Sequence, residues 1–244
     1  MKFGLLGASL MHSFSQSYFT QKFEREQLNH SYQNIEVPNS TDFKSVEALT
    51  ELDGFNVTIP YKQAIIPFLA QLSLEAQSVG AVNCVKKVNN EWHGFNTDVI
   101  GFKRSLLPLI ENKVETALIL GTGGASLAVK YVLDQLGIRS FYVSRNPTAS
   151  HICSYEQLTP LLVSKCHLIV NTTPVGQFPN TDDCPNIPYE AITSSHICFD
   201  LIYNPEKTSF LSRAEAQGAT SCNGKNMLEI QAEESFSIWT NPSN

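Results

Sequence analysis

The sequence predicts an α/β protein with two domains, because short apolar runs alternate with helical stretches along its 244 residues. A hydrophobic share of 42% and a charged share of 16% are typical of a globular protein with enough apolar residues for a core. The character of the chain changes after residue 98, where "ETALILGTGGASLAVKYVLDQLG" combines a buried strand, a glycine-rich turn and a long amphipathic helix. We therefore expect a domain boundary near that residue.

The first part of the chain alternates predicted strands with predicted helices. The strands are expected at "KFGLLG", "YQNIEV", "GFNVTI", "AVNCVKKV" and "EWHGFN". The helices are expected at residues 15–28, 40–52 and 62–80, with Ser40 or Thr41 capping the second.

The second part continues the alternation. A helix is expected over "VIGFKRSLLPLIENK", and strands are expected at "RSFYVSR", "CHLIVNTT" and "HICFDLIY". The last segment, "GKNMLEIQAEESFSIW", has an apolar helical face and no partner strand. A terminal helix of this kind docks wherever an apolar stripe remains, including on the first domain.

Charge and cysteine usage exclude several classes of protein. A net charge of −6 disfavours a general binder of nucleic acid or of anionic membranes. No apolar run approaches the roughly 18–20 residues that span a bilayer, and the N-terminal segment is a weak match to a signal peptide. The six cysteines contain no CxxC pair, so we expect reduced cytoplasmic thiols and no metal site.

A glycine-rich turn directly follows the apolar strand of the second part. "LILGTGGAS" places Gly121 where it permits a tight turn and Gly123 where the backbone can approach a pyrophosphate. The helix that follows supplies N–H groups and a positive dipole to an anion. Ser126 holds the third position of the usual fingerprint, so the packing there must tolerate a small side chain. A GxG alone is equally compatible with a structural turn, but this context favours dinucleotide binding.

The end of the next strand indicates which dinucleotide is bound. An NAD-binding protein normally carries Asp or Glu there to hold the ribose hydroxyls, and this chain has Ser144, Arg145 and Asn146. A guanidinium pairs with a 2′-phosphate, whereas an acid repels it. A solvent-exposed arginine at a strand end is the alternative interpretation. With the preceding glycine turn, we favour NADP(H).

Polar side chains cluster at the predicted strand ends of the first part, where open α/β sheets bind ligands. The clusters are Ser13 and Ser15; Asn56, Thr58 and Lys62; and Asn83 with Asn96, Thr97 and Asp98. Each has a structural alternative, because serines and Asp98 can cap helices and Asn83 can serve a turn. Together they offer hydroxyls, amides, a lysine and a carboxylate, which suit a small polyhydroxylated acid.

Several motifs in order resemble the shikimate dehydrogenase family, NADP-dependent enzymes of aromatic amino-acid biosynthesis. They are "HSFSQS", "GFNVTIPYK", "VGAVNCV", "GFNTD", "GTGGAS", "NTTPVG", "DLIYNPEKTSFL" and "GKNMLEIQAEESFSIW". The resemblance implies two α/β domains with the active site in the cleft between them. Residues 1–98 would form the substrate-binding catalytic domain, completed by residues 225–244, and residues 99–224 would form the NADP-binding Rossmann domain.

The resemblance also implies roles for individual residues. Lys62 and Asp98 would be the catalytic pair. Substrate contacts would come from Ser13, Ser15, Thr58, Asn83, Asp98, Tyr203 and Gln231. Cofactor contacts would come from Gly121, Gly123, Gly124, Ala125, Ser126, Ser144, Arg145, Asn146, Leu201, Gly224 and Met227. The implied reaction reduces the ketone of 3-dehydroshikimate, with Lys62 as proton donor, in a monomer or a homodimer.

Some positions depart from the family pattern. Ser9 and Gln16 stand where family members usually have prolines around the first serine motif, and Leu127 stands where a basic residue commonly follows the glycine turn. The adenosine-phosphate motif is usually Asn-Arg-Thr and here reads Ser-Arg-Asn.

A related dehydrogenase acting on quinate, or on quinate and shikimate with NAD, is the main alternative. A catalytically silent nucleotide-sensing module is disfavoured because Lys62 and Asp98 are both present.

Overall fold

The computed structural model describes residues 1–11, 13–38, 43, 46–110, 114–147, 149 and 152–241. They form two compact units, of which the first comprises Met1–Thr97 and Gln231–Asn244 and the second comprises Asp98–Ile230. Each unit carries a six-stranded sheet together with helices, so the α/β prediction is confirmed. The proposed helix caps Ser40 and Thr41 lie outside the described residues.

The first unit contains a mixed sheet in the order β2-β1-β3-β5-β6-β4. Its strands are β1 (Lys2–Gly7), β2 (Ser31–Glu36), β3 (Gly54–Val57), β4 (Gln71–Leu72), β5 (Cys84–Val88) and β6 (Glu91–Phe95). Strand β1 runs parallel to β2 and β3, whereas β5 is antiparallel to β3 and β6. All strands predicted for this part are present, and β4 was not predicted.

The helices of the first unit are short except for one. They are α1 (Phe14–Arg25), α2 (Glu47–Thr50), α3 (Tyr61–Ala64) and α4 (Leu74–Val79). The prediction of a single helix over residues 62–80 is wrong. Pro67 has no N–H for a helix, and the N–H groups of Ala70 and Ser73 donate to carbonyls of β6 at 2.8 and 2.9 Å. The Ser73 hydroxyl then caps the start of α4, so the chain is divided there.

The last helix, α9 (Lys225–Thr240), contributes its second half to the core of the first unit. Trp239 is 1% exposed and stacks on Phe3 with ring centroids 4.5 Å apart. Its indole N–H donates to the Val85 carbonyl at 2.9 Å. A Cβ atom at Gly54 would lie 2.4 Å from the indole, so glycine leaves the space that Trp239 fills.

The second unit contains an all-parallel sheet in the order β12-β11-β10-β7-β8-β9. Its strands are β7 (Thr116–Leu120), β8 (Arg139–Ser144), β9 (Ile152–Ser154), β10 (Leu168–Asn171), β11 (Ile197–Asp200) and β12 (Thr220–Cys222). Its helices are α5 (Asp98–Leu106), α6 (Gly124–Gln135), α7 (Pro160–Ser164), α8 (Ser209–Ala216) and the start of α9. The order reverses at β7, which is the arrangement of a dinucleotide-binding sheet with its ligand crevice at that point.

The burial of the central strands in this sheet explains why the sequence predicted them. Every residue of β10 and β11 is buried, and such strands appear in a sequence as unbroken apolar runs. The strands β9 and β12 are only partly buried edges of three residues each, and neither was predicted. Within the described part of the chain, no helix is both long and apolar enough to cross a membrane.

Replacing Trp239 with alanine tests how strongly α9 stabilises the first unit. We expect Trp239→Ala to lower the free energy of unfolding by about 3–5 kcal/mol, because it opens a cavity and leaves the Val85 carbonyl without its donor. Urea unfolding followed by circular dichroism measures the change. Ser237→Ala, at an exposed position of the same helix, is the matched control and should change stability by less than about 0.5 kcal/mol. Equal stability of the two variants would contradict this role for Trp239.

Candidate active site

The serines that follow β1 lie at the start of α1. Ser13 occupies the N-cap position, yet its side chain makes no capping hydrogen bond, so the helix-cap interpretation does not account for its hydroxyl. Its Oγ is buried and has no hydrogen-bond partner among the described residues. Ser15 is buried one residue into the helix. A buried hydroxyl without a partner costs free energy, and a polar ligand at this position would remove that cost.

Thr58 and Lys62 follow β3. The Thr58 N–H donates to the Leu6 carbonyl at 2.9 Å, and its methyl group occupies space that a Cβ at Gly7 would enter to within 2.7 Å. Lys62 lies in α3, and its carbonyl accepts a hydrogen bond from the Val82 N–H at 2.7 Å. This bond holds the Lys62 backbone beside Val82, the residue before Asn83.

Asn83 and Gln231, which are far apart in the sequence, are brought together in the first unit. Asn83 Oδ1 accepts from the Thr97 N–H at 2.7 Å, and this bond defines which end of the Asn83 amide is oxygen. The Asn83 amide nitrogen donates to Thr97 Oγ1 at 3.0 Å and to Gln231 Oε1 at 3.4 Å. Strands β5 and β6 position Asn83 and Thr97, and α9 positions Gln231.

Two asparagines of the predicted polar clusters have structural roles. The Asn56 amide donates to the Asn83 carbonyl at 3.1 Å and accepts from the Tyr32 hydroxyl at 2.9 Å. The Asn96 amide donates to the Ala81 carbonyl at 2.8 Å. Both side chains are buried, and these bonds hold neighbouring segments in place.

The glycine turn of the second unit has the geometry expected of a phosphate site. Gly121 has φ +108°, and an added Cβ would approach Thr172 to 2.7 Å, so this position requires glycine. Gly123 borders open space, which leaves its backbone accessible. Gly124, Ala125 and Ser126 form the first turn of α6, and the N-terminus of this helix suits an anion. Ser126 is fully buried, and its hydroxyl donates to the Gly123 carbonyl at 2.6 Å.

The side chains at the end of β8 include an exposed cation. Ser144 Oγ accepts from the Asn146 N–H at 3.2 Å, which forms a turn around Arg145. The Arg145 side chain is exposed. Burial raises the pKa of the Tyr155 phenol, and the nearby positive charge of Arg145 opposes that rise. The turn therefore presents a guanidinium beside the strand that carries the glycine turn.

Leu201 and Gly224 lie together in the second unit. The Gly224 N–H donates to the Ile202 carbonyl at 3.0 Å, and a Cβ at Gly224 would lie 2.0 Å from the Leu201 carbonyl oxygen. Only glycine fits such a close approach. Met227 is buried in the first turn of α9, and Tyr203 is half-buried after β11.

Asp98 is the first residue of α5 and is buried. A carboxylate at a helix N-terminus is stabilised by the helix dipole. Among the described residues, no group of three His, Cys, Asp or Glu side chains is arranged to hold a metal ion.

Asp200 is a buried acid that sequence reasoning missed. Its carboxylate accepts from the Asn171 amide at 3.0 Å, the Ile202 N–H at 3.1 Å and the Thr208 hydroxyl at 2.6 Å. These bonds tie the ends of β10 and β11 to the segment that carries Leu201. The only signal in the sequence was its place between an apolar run and "LIY", which also suits an ordinary strand end.

The chain is similar to known proteins along its whole length. Residues 5–85 match the family model described as shikimate dehydrogenase substrate binding domain. The NADP(+) shikimate dehydrogenase of Staphylococcus epidermidis strain RP62A is 38% identical, over 99% of this chain and 93% of that protein. The shikimate 5-dehydrogenase of Thermus thermophilus, solved with NADP(H) and shikimate, is 30% identical with a TM-score of 0.84, over 98% and 93% of the two chains. The quinate dehydrogenase of Corynebacterium glutamicum, solved with NAD, is 25% identical with a TM-score of 0.87, over the same shares.

The pKa of Asp200 predicts a dependence of stability on pH. Burial raises this pKa from 3.8 to about 6, so the folded protein retains a proton there that the unfolded chain has already released. This group's stabilising contribution is complete below pH 3.8 and is lost as the pH rises through 6, a loss of about 3 kcal/mol in the free energy of unfolding. Urea unfolding between pH 4 and pH 7 should show a shallower decline for Asp200→Asn than for the wild type. Asp182→Asn, at an exposed position, is the control, and identical pH profiles for all three proteins would contradict the assignment.

Proposed function

Because this chain belongs to the shikimate dehydrogenase family, we propose that it catalyses the reversible, NADPH-dependent reduction of 3-dehydroshikimate to shikimate. The structural observation that carries the proposal is the buried Asn83–Gln231 pair, which adds amides to the hydroxyls that follow β1 and β3. Amide and hydroxyl groups held in fixed orientation suit a small acid with several hydroxyls. We place the enzyme in the cytoplasm, in keeping with six cysteines that are all free thiols.

Lys62 is the proposed proton donor. Transfer of hydride to a ketone leaves negative charge on the carbonyl oxygen, and a cationic acid beside that oxygen lowers the barrier. The hydrogen bond from the Val82 N–H to the Lys62 carbonyl supports a fixed position for the backbone from which the side chain extends. In the reverse direction the neutral amine accepts the proton from the substrate hydroxyl.

Asp98 is the proposed partner of Lys62. A carboxylate favours the charged ammonium, which is the form that reduction requires. Asp98 is the buried first residue of α5, so this helix fixes the position of its backbone. We assign Asp98 both this electrostatic role and a hydrogen bond to a substrate hydroxyl.

The remaining substrate groups are proposed to bind through neutral donors. Ser13, Ser15 and Tyr203 would hold the carboxylate, and Thr58, Asn83 and Gln231 would hold the ring hydroxyls. The unsatisfied hydroxyl of Ser13 supports its part in this set. Neutral donors give orientation at a smaller desolvation cost than a buried ion pair.

The second unit fits NADP through its glycine turn and the residues after β8. When bound, the cofactor supplies the hydride. The N–H groups at the start of α6 would hold the pyrophosphate, Arg145 with Ser144 and Asn146 would hold the 2′-phosphate, and Leu201, Gly224 and Met227 would line the nicotinamide side. Gly121 and Gly123 support this assignment, since one is required for the turn and the other leaves the backbone open.

The main alternative is a quinate dehydrogenase that uses NAD, as the similar protein of C. glutamicum is named. Arg145 opposes this alternative because NAD lacks the phosphate that a guanidinium would bind. The more similar S. epidermidis relative is named for NADP(+).

Initial rates with shikimate or quinate, each with NADP⁺ or NAD⁺, test the proposed function. We expect the highest kcat/KM with shikimate and NADP⁺. Arg145→Ala should raise the KM for NADP⁺ about tenfold and leave that for NAD⁺ nearly unchanged, because it removes a charge-assisted phosphate contact. Arg139→Ala, at the exposed opposite end of β8, is the matched control. A preference of the wild type for quinate with NAD⁺ would overturn the proposal, and equal effects of Arg145→Ala on both cofactors would remove the 2′-phosphate assignment.

Lys62→Ala tests the proton donor. We expect kcat to fall by about 10²–10⁴-fold with a much smaller change in the KM for shikimate, because the charge on the carbonyl oxygen is greatest in the transition state. Gln63→Ala, at the exposed next position of α3, should keep the wild-type kcat. Near-normal turnover of Lys62→Ala at saturating shikimate would show that another group donates the proton.

A further inference from the structure

We infer that Ser235, Thr97 and Tyr32 are positioning residues that set the orientation of the substrate-binding amides Asn83 and Gln231. This inference rests on the proposed function and extends it to residues that do not themselves contact substrate. The three side chains belong to one buried hydrogen-bond network in the first unit, which we call the amide network. Its members are Ser15, Tyr32, Asn56, Asn83, Thr97, Gln231 and Ser235.

Ser235 is the centre of the amide network. It is 0% exposed, and its hydroxyl donates to the Gln231 carbonyl one turn earlier in α9, at 2.9 Å. With its proton used in this way, Ser235 Oγ acts as an acceptor for its other neighbours. Asn56 donates to it at 2.9 Å, and Thr97 Oγ1 lies 3.1 Å away.

The direction of the Thr97 bond follows from this arrangement. Because Ser235 acts as the acceptor, Thr97 donates to it, and Thr97 Oγ1 in turn accepts from the Asn83 amide at 3.0 Å. The donors therefore run from Asn83 to Thr97, then to Ser235 and finally to a helix carbonyl. Each hydroxyl has one proton, so the whole sequence of donors depends on Ser235.

Tyr32 extends the network to the proposed carboxylate site. Its hydroxyl donates to Asn56 Oδ1 at 2.9 Å, which leaves the Asn56 nitrogen to donate to Ser235. Burial raises the pKa of Tyr32 well above its usual value, and a side-chain hydrogen bond with Ser15 opposes that rise. Ser15 is thus linked through Tyr32 and Asn56 to the hydroxyl that also organises Asn83.

Loss of the Ser235 hydroxyl would redirect the Thr97 proton. The remaining acceptors near Thr97 Oγ1 are Asn83 Oδ1 at 3.3 Å and Gln231 Oε1 at 3.4 Å. Both belong to proposed substrate-binding amides, so a new bond to either one would turn that amide from its present direction. The expected consequence is weaker binding of substrate without loss of the proton donor, Lys62.

Steady-state kinetics of Ser235→Ala, Thr97→Val, the double variant and Tyr32→Phe test the inference, with Ser237→Ala as the matched control. We expect Ser235→Ala and Thr97→Val each to raise the KM for shikimate about tenfold, with kcat within about twofold and the KM for NADP⁺ unchanged. The double variant should raise the KM by less than the product of the two single effects, because both changes break the Thr97–Ser235 bond. Tyr32→Phe keeps the ring, which stacks on Phe19, and should also raise the KM for shikimate.

The outcomes separate the positioning role from a merely structural one. A KM for Ser235→Ala within twofold of the wild type overturns the inference, as does a double variant in which the two effects multiply. A lower melting temperature with an equal loss of kcat would assign Ser235 to stability alone and would also overturn it. A wild type that does not oxidise shikimate overturns the proposed function and this inference with it, whereas an active wild type with a normal Ser235→Ala variant overturns the inference alone.

Discussion

The docking of the second half of α9 in the first unit is the interaction on which the proposed substrate site depends. Trp239 stacks on Phe3 and donates to the Val85 carbonyl, and Gly54 supplies the space for the indole. Two turns earlier, the same helix places Gln231 beside Asn83. The apolar end of α9 therefore provides the free energy that holds its polar end in a buried position. Asn83 and Gln231 are remote in sequence, and the docking of α9 is what brings them into one site.

The sequence predicted those elements whose formation depends on local pattern. Strands β10 and β11 are unbroken apolar runs, and their burial on both faces is the reason for that pattern. The glycine turn was interpretable because Gly121 and Gly123 have different requirements, a positive φ in one case and open space in the other. Glycine meets both requirements through its missing side chain, so the pattern is visible locally even though Thr172 also crowds Gly121.

The error over residues 62–80 shows where the local pattern failed. Apolar residues at helical spacing suggested one helix, but Pro67 removes a donor and β6 offers carbonyls to the N–H groups of Ala70 and Ser73. The proline was visible in the sequence. The strand β6 was predicted too, but its pairing with the segment around Ala70 and Ser73 was not. Pairing with a strand elsewhere in the chain outweighed helix propensity, and the result is the short α3 that carries Lys62.

The proposed site was predictable in its residue types but not in its supporting contacts. Ser13 and Lys62 follow strands and Asn83 directly precedes one, so all three could be selected as residues near strand ends, where α/β sheets bind ligands. Ser235 could be selected only by noting that it lies one turn after Gln231 on α9, and nothing local distinguishes it from the exposed Ser237.

A buried polar network contributes little net stability, since each group exchanges hydrogen bonds to water for bonds within the protein. Its effect is to leave each amide one satisfied orientation, because the alternative orientation places like groups against each other. For an enzyme of a polyhydroxylated substrate, whose hydroxyls differ only in direction, a fixed orientation of the amides is the basis of recognition. The free energy of orienting Asn83 and Gln231 is then spent when the chain folds, before any substrate binds.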